Sequence, residues 1–222
     1  MERRRLRIGF IAVAVWLLSS LALAADGDEA HGPIKGSVVA RKILPSGKVE
    51  LAPVPDVVVY LAKPLTTEVV VPLDPVVVSV RGVMLTPFHS VVVAGQMLRI
   101  EPTDQQEAYN FRLESEAEMP FGELIKPGVW ERRPAGPVEL AIISCSIHPV
   151  VEGYVTVVPS NIFARTNEQG EFTLPGTYGP GKYSLVAQHA SLGRKRAIVR
   201  RQVNSRETKV QIELPGSIDS QR

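Results

Sequence analysis

Apolar residues come in short runs between residues 34 and 160, and each run stops at a proline, a glycine or a charge. The segments "IKGSVVARKI", "DVVVYLA", "TEVVVPL", "PVVVSVRG", "HSVVVAG" and "MLRIEP" are rich in valine. A branched Cβ packs well on a pleated surface, so each is expected to be a strand. Pro45, Pro53, Pro55, Pro64, Pro72, Pro75, Pro87 and Gly95 punctuate them, marking breaks or edges. No stretch repeats its apolar positions at a helical period. "QQEAYNFRLESEAE" suits a helix by propensity and equally a strand followed by a polar loop. Many short strands at this spacing predict an all-β sandwich or barrel.

A second unit is expected to begin at Pro159. Asn167 to Gly170 reads as a hairpin turn, with Phe163 before it and Phe172 and Leu174 after it pointing inward. Tyr183, Leu185 and Ala187 alternate with polar residues, as do Val210, Ile212 and Leu214, the period of a half-buried strand. The unit spans 57 residues, 159–215. A core of that size is marginal alone, so it is expected to pack against the unit before it. "SIDSQR" closes the chain as a tail expected to be disordered, 216–222 being assigned to it.

The N-terminus changes the charge balance. Arg3, Arg4, Arg5 and Arg7 precede an apolar stretch from Ile8 to about Leu23, and Ala22-Leu23-Ala24 offers the small residues of a cleavage site. Residues 1–24 therefore read as a signal peptide, and 25–33 as a polar leader. The apolar stretch is short for a spanning helix of roughly 20 residues, though retention as an anchor is the alternative to cleavage. The chain's formal charge is +2, but without residues 1–24 it has 21 basic and 22 acidic residues. That balance points to neither nucleic acid nor a strongly anionic partner. Arg194, Lys195, Arg196, Arg200 and Arg201 form one local exception, read as a solvated strand face or as a contact for an acidic partner or anionic glycan. Cys145 is the chain's only cysteine. In an exported chain it makes no internal disulfide, and it packs, binds a metal or pairs with another chain.

Two stretches carry a resemblance. "FHSVVVAGQMLRIEPTDQQEAYNFRL", followed by "CSIHPVVEGYVTVVPSNIFARTNEQGEFTLPG", resembles the exported plastocyanin-like (cupredoxin) proteins of bacteria. These are of methylamine-utilisation type and carry a C-terminal carboxypeptidase-regulatory-like β-domain. The resemblance covers roughly residues 34–215. It implies a Greek-key cupredoxin-like β-sandwich over 34–158 and a small carboxypeptidase-regulatory-like (transthyretin-like) sandwich over 159–215. It also implies a type-1 copper site that carries an electron. Such a site needs a thiolate and two imidazoles in a trigonal array, with a weak axial thioether or oxygen. In the family one loop reads Cys, His three residues on and Met six on, while a second His precedes an Asn. Cys145 and His148 stand at two of these positions. Val151 stands at the Met position and Tyr109, before Asn110, at the second His. A phenol ionises only near pH about 10, and as a phenolate is a harder donor than imidazole.

His89 matches a position where relatives carry a histidine that is not a ligand, and His189 is read as structural. His31 sits in the acidic leader without ligand spacing. Cys145 and His148 are therefore read as remnant ligands. A two- or three-coordinate Cu(I) or Zn(II) site, with or without Tyr109, and a reactive thiol stay open beside that reading. No Gly-rich phosphate loop, H-E-x-x-H or G-x-S-x-G motif occurs, so no enzyme is expected. The expectation is a non-catalytic, exported module, periplasmic or at the cell surface. Its partner is an unknown protein or cell-envelope component, and it contacts membrane only if the signal segment is kept. No cofactor is expected; the alternative is a copper-binding electron-transfer or copper-handling protein.

Overall fold

The computed structural model describes residues 32–66, 68–104, 108–115, 121–122, 128–134, 140–178, 181–190, 199–204 and 209–217. The segment 1–24 expected to be a signal peptide, His31, Arg194, Lys195, Arg196 and residues 218–222 lie outside them. The described residues are strands and connections, with no helix long and apolar enough to cross a membrane. The protein is an all-β sandwich structure, as the valine pattern predicts.

In chain order the first strands are β1 (Ile34–Ile43), β2 (Val49–Pro53), β3 (Val58–Leu61), β4 (Val76–Arg81), β5 (Met84–Thr86) and β6 (His89–Val93). Next come β7 (Leu98–Pro102), β8 (Phe111–Glu114), β9 (Phe121–Gly122), β10 (Trp130–Arg132), β11 (Ala141–Cys145) and β12 (Glu152–Val158). The last are β13 (Phe163–Arg165), β14 (Glu171–Leu174), β15 (Lys182–Gln188), β16 (Val199–Asn204) and β17 (Lys209–Ser217). β8 takes the strand alternative for "AYNFRLE", with Phe111 and Leu113 buried and Arg112 and Glu114 partly exposed.

Two sheets, β10-β7-β4-β5 and β6-β12-β11-β8-β9, enclose one core containing Val78, Ile100, Phe111, Ile143 and Val155. The other two sheets unite distant parts of the chain. β1 lies between β14 and β17, with β2 also paired to it, and β3 lies between β13 and β15, with β16 beyond. Their shared core includes Val38, Val59, Phe172, Leu185 and Ile212. The division into 34–158 and 159–215 is corrected by this pairing. Residues 34–61 belong with 163–217, and the stretch 76–158 is inserted between them. The reason is the length of β1: its inward positions Ile34, Val38 and Ala40 fill a core that the C-terminal strands leave open.

Three local expectations are also revised. "TEVVVPL" forms no strand over Glu68–Leu73. It is the crossing between the two sandwiches, where Pro72 and Pro75 withhold N–H donors and Val70 and Leu73 stay exposed. Asn167–Gly170 joins β13 and β14, which lie in different sheets, so the turn is a corner rather than a hairpin. Its geometry is otherwise the expected one: Asn167 Oδ1 accepts from the N–H groups of Gln169 and Glu171, and Gly170 has φ +70°. Finally, β17 continues to Ser217, beyond the limit drawn at Pro215.

A third apolar cluster joins the sandwiches. Val58, Tyr60 and Val186 from one meet Val93 and Val158 from the other. β3 and most of β12 are buried on both faces for this reason. One end of the interface is polar. His89 Nε2 lies 2.8 Å from Thr156 Oγ1. Arg165 donates to the His89 carbonyl and pairs with Asp56. Nδ1 of His89 and both amide atoms of Gln188 are buried without a hydrogen-bond partner among the described residues. Burial, and then the Arg165 charge, pull the His89 pKa down to about 4, against a smaller upward pull from Asp56. His189 is lowered as well, by burial.

Two outcomes follow from this packing. A fragment starting at Pro159 lacks β1 and β3, and it is expected to show no cooperative unfolding transition by circular dichroism; the full chain is expected to show one. For pH, an unfolded His89 takes up a proton near 6.5 and the folded one only near 4. Stability is thus fully present above about pH 6.5 and lost as the pH falls towards 4, by at most about 3 kcal/mol. Urea denaturation across that window checks it, and His89→Gln should flatten the slope.

Candidate metal centre

Cys145 ends β11, and the loop Ser146–Val151 carries the chain back into β12. The strand end positions the thiol through its pairing with β8, since the β11–β12 ladder stops one residue earlier at Ser144. Cys145 is in register with Phe111 of β8. Just before β8, the Asn110 N–H donates to Cys145 Sγ at 3.3 Å, and the Asn110 carbonyl accepts from Ser146 N–H at 3.1 Å. The loop then tightens where Val151 N–H donates to the His148 carbonyl at 2.9 Å. This turn swings the imidazole back over the strand end, leaving His148 Nδ1 3.6 Å from Cys145 Sγ.

Tyr109, two residues before β8, reaches the same place. Its ring centroid lies 4.9 Å from that of His148, and it stacks on Phe111 at 5.1 Å. Its hydroxyl donates to the Gly82 carbonyl at 3.1 Å, in the β4–β5 turn. A phenol that donates this bond holds its proton, and in that state it is a poor metal ligand. Val151 is buried, at 1% exposure, and offers no donor. All four residues singled out by the sequence thus come together: Cys145, His148, Tyr109 and Val151. The two that can donate to a soft or borderline metal are Cys145 and His148. Among the described residues no group of three or more His, Cys, Asp or Glu side chains is placed to hold a metal ion. The donor set does not fit a type-1 copper centre, which needs two imidazoles beside the thiolate.

The thiol itself is 3% exposed, and a thiol enclosed in apolar surroundings is shielded from oxidants and disulfide partners. His89, on β6, is placed at Thr156 of β12, and His189 follows β15 in the other sandwich; among the described residues neither completes a group of three potential ligands with Cys145 and His148. Sequence reasoning missed Gly82. A carbonyl used by a residue 27 positions away leaves no local mark. Asn110, singled out only as a neighbour, fixes the sulfur through its backbone N–H.

Four large apolar residues near this cluster are exposed. Val83 and Met84, in the β4–β5 turn and at the start of β5, follow Gly82, and Ile147 and Val150 lie on either side of His148 in the other loop; all four are exposed. Both loops meet Tyr109, one through its hydroxyl and the other through its ring.

No protein-family model matches the chain, and no curated protein matches it. Solved structures do align with part of it. A reduced tryptophan-to-tyrosine mutant of amicyanin aligns at 16% identity and a TM-score of 0.34, over 38% of this chain and 82% of that one. A purple cupredoxin from Nitrosopumilus maritimus aligns at 18% identity and a TM-score of 0.31, over 37% and 98%. A copper-containing nitrite reductase from Thermus scotoductus aligns at 17% identity and 0.35, over 43% of this chain and 25% of that one.

Tyr109→Phe keeps the ring and removes the bond to Gly82. It is expected to cost about 1 kcal/mol in urea denaturation, with the near-ultraviolet circular dichroism otherwise retained.

Proposed function

We propose that the protein is a non-catalytic, exported interaction module whose inserted sandwich keeps the outline of a type-1 copper site without its ligand set. The observation that carries this reading is the Tyr109 hydroxyl bond to Gly82. It commits the residue at the second imidazole position to a protonated, structural role. Val151 supports it by filling the axial position with hydrocarbon. The exposed Val83, Met84, Ile147 and Val150 around the cluster suit contact with a partner, because apolar side chains gathered at one end of a sandwich are a common mark of association. Export to the periplasm or cell surface is supported by the basic, apolar and small-residue order of residues 1–24.

A second reading rests on one distance. Sγ of Cys145 and Nδ1 of His148 lie 3.6 Å apart, near enough for both to bind one metal ion after small movements. Copper handling through these two atoms, with a further donor from solvent or a partner, is that alternative.

Titration with Cu(II), followed by visible absorption, separates the two. The interaction reading expects no intense thiolate-to-copper band from the natural chain. It expects such a band from Tyr109→His combined with Val151→Met, since that pair supplies the missing imidazole and thioether. An intense band in the natural chain that disappears in Cys145→Ala would replace the interaction reading with the copper one.

A further inference from the structure

The outer edges of the sheet formed by β14, β1, β17 and β2 are not treated alike. On β14, Asn167 covers the edge: its N–H donates to the Glu171 carbonyl at 3.0 Å and its Oδ1 accepts from the Glu171 N–H at 2.8 Å. On β17, Arg201 of β16 donates to the Gln211 carbonyl at 2.8 Å. Among the described residues nothing covers the outer side of β2 in this way.

The bonds at the two ends of β2 show which of its backbone groups face out. The Leu44 N–H donates to the Lys48 carbonyl, and the Val54 N–H to the Val38 carbonyl. By the alternation of an antiparallel ladder, residues 48, 50, 52 and 54 therefore face β1. Val49, Leu51 and Pro53 turn their backbone groups outward. Their side chains share one face with Ile43, Arg41 and Val39, which stand opposite them. Ile43, Val49 and Leu51 are each more than half exposed. An edge with open N–H groups and apolar side chains is a template for another strand.

A second copy of β2 fits this edge in one register. Antiparallel pairing about Leu51 lets Leu51 exchange N–H and C=O bonds with its counterpart. It also sets the Val49 N–H against the Pro53 carbonyl of the other copy, so that the N–H which proline lacks is not called upon. Glu50 meets Ala52 and stays across from its own Lys42. Neighbouring registers are worse. Pairing about Glu50 puts two carboxylates directly opposite each other, which destabilises a sheet. Pairing about Val49 requires Gly47, with φ +79°, to be extended. Pairing about Ala52 carries the Val49 N–H past the end of the other strand at Pro53.

We propose that the protein forms a two-fold dimer in which β2 of each copy extends the sheet of the other, with Leu51 opposite Leu51. The contact is isologous, as a closed pair requires. The inference goes beyond the interaction reading by naming a second copy as a partner. It uses a surface apart from the Cys145 end, so its failure would leave that reading and the copper titration as they are.

Sedimentation velocity of the purified chain from about 5 to 500 µM tests it, because so short an edge belongs with small, weak interfaces. Monomer is expected at the lower concentration and dimer at the upper. Leu51→Glu places a carboxylate beside Arg41 within one copy and against the same carboxylate across the dimer. It should weaken association about tenfold or more. Val49→Pro removes an outward N–H and no bond to β1, and should weaken association about tenfold. Both variants should stay folded by circular dichroism. Leu73→Glu, at an exposed leucine outside β2, should leave the dimer unchanged. A chain that stays monomeric throughout overturns the proposal and leaves the edge to a strand from another protein. A dimer indifferent to both β2 changes overturns it, since the contact would lie elsewhere. Loss in Leu51→Glu with none in Val49→Pro would mean side-chain contact without strand pairing. Equal loss in Leu73→Glu would mean general apolar association, and either result also overturns the proposal.

Discussion

The parallel pairing of β1 with β17 is the constraint on which the rest of this architecture depends. It runs from Lys35 opposite Lys209 to Arg41 opposite Ser217, and it brings the two ends of the described chain into one sheet. Gly36 marks how close the strands and the core come. A Cβ there would lie 2.3 Å from the Val210 carbonyl oxygen and 2.7 Å from the Phe172 ring. Once β1 is committed to β17 and β14, and β3 to β13 and β15, everything from Val76 to Val158 has to fold as an excursion that leaves this sandwich and returns to it. The interface of Val58, Tyr60, Val93, Val158 and Val186 follows, because both crossings start beside it.

Local pattern carried much of this fold and long-range pairing carried the remainder. The alternation of Leu185 with Ala187, and of Val210, Ile212 and Leu214, named the inward faces correctly because a period of two is a property of the strand itself. The valine content of "IKGSVVARKI" marked it as a strand, but nothing within it named its partner. Strand order is decided by pairings across more than a hundred residues, such as Ile34 with Leu174, and these leave no trace in a window of ten. "TEVVVPL" was misleading for a related reason. Valine content measures suitability for a pleated, half-buried surface, and Val69 finds its burial against the interface instead without a strand on either side.

The cluster at Cys145 divides along the same line. Its membership was legible, because Cys145 and His148 are three residues apart and Tyr109 precedes the asparagine that the resemblance singles out. What holds Tyr109 was not. The Gly82 carbonyl belongs to a turn whose position against β8 depends on the packing of both sheets, and that bond turns the phenol from a candidate ligand into a support. Lys63, Lys182 and Arg200 show the converse. The basic run near residue 194 drew notice as a run, whereas the two lysines are isolated in sequence and line one cleft with Arg200 only because β3, β15 and β16 share a sheet.

The β1–β17 pair also has a mechanical meaning. The strands run in the same direction, so a pull on the chain before Ile34 and after Ser217 acts on them from opposite ends of the ladder. The load is carried in shear, shared by all the inter-strand hydrogen bonds at once, whereas an antiparallel pair pulled from one end would unzip bond by bond. The inserted sandwich lies outside that line of force, since its two connections leave and re-enter through the second sandwich. Tension along the protein would be borne by β1 and β17 while the Cys145 end stayed unstretched.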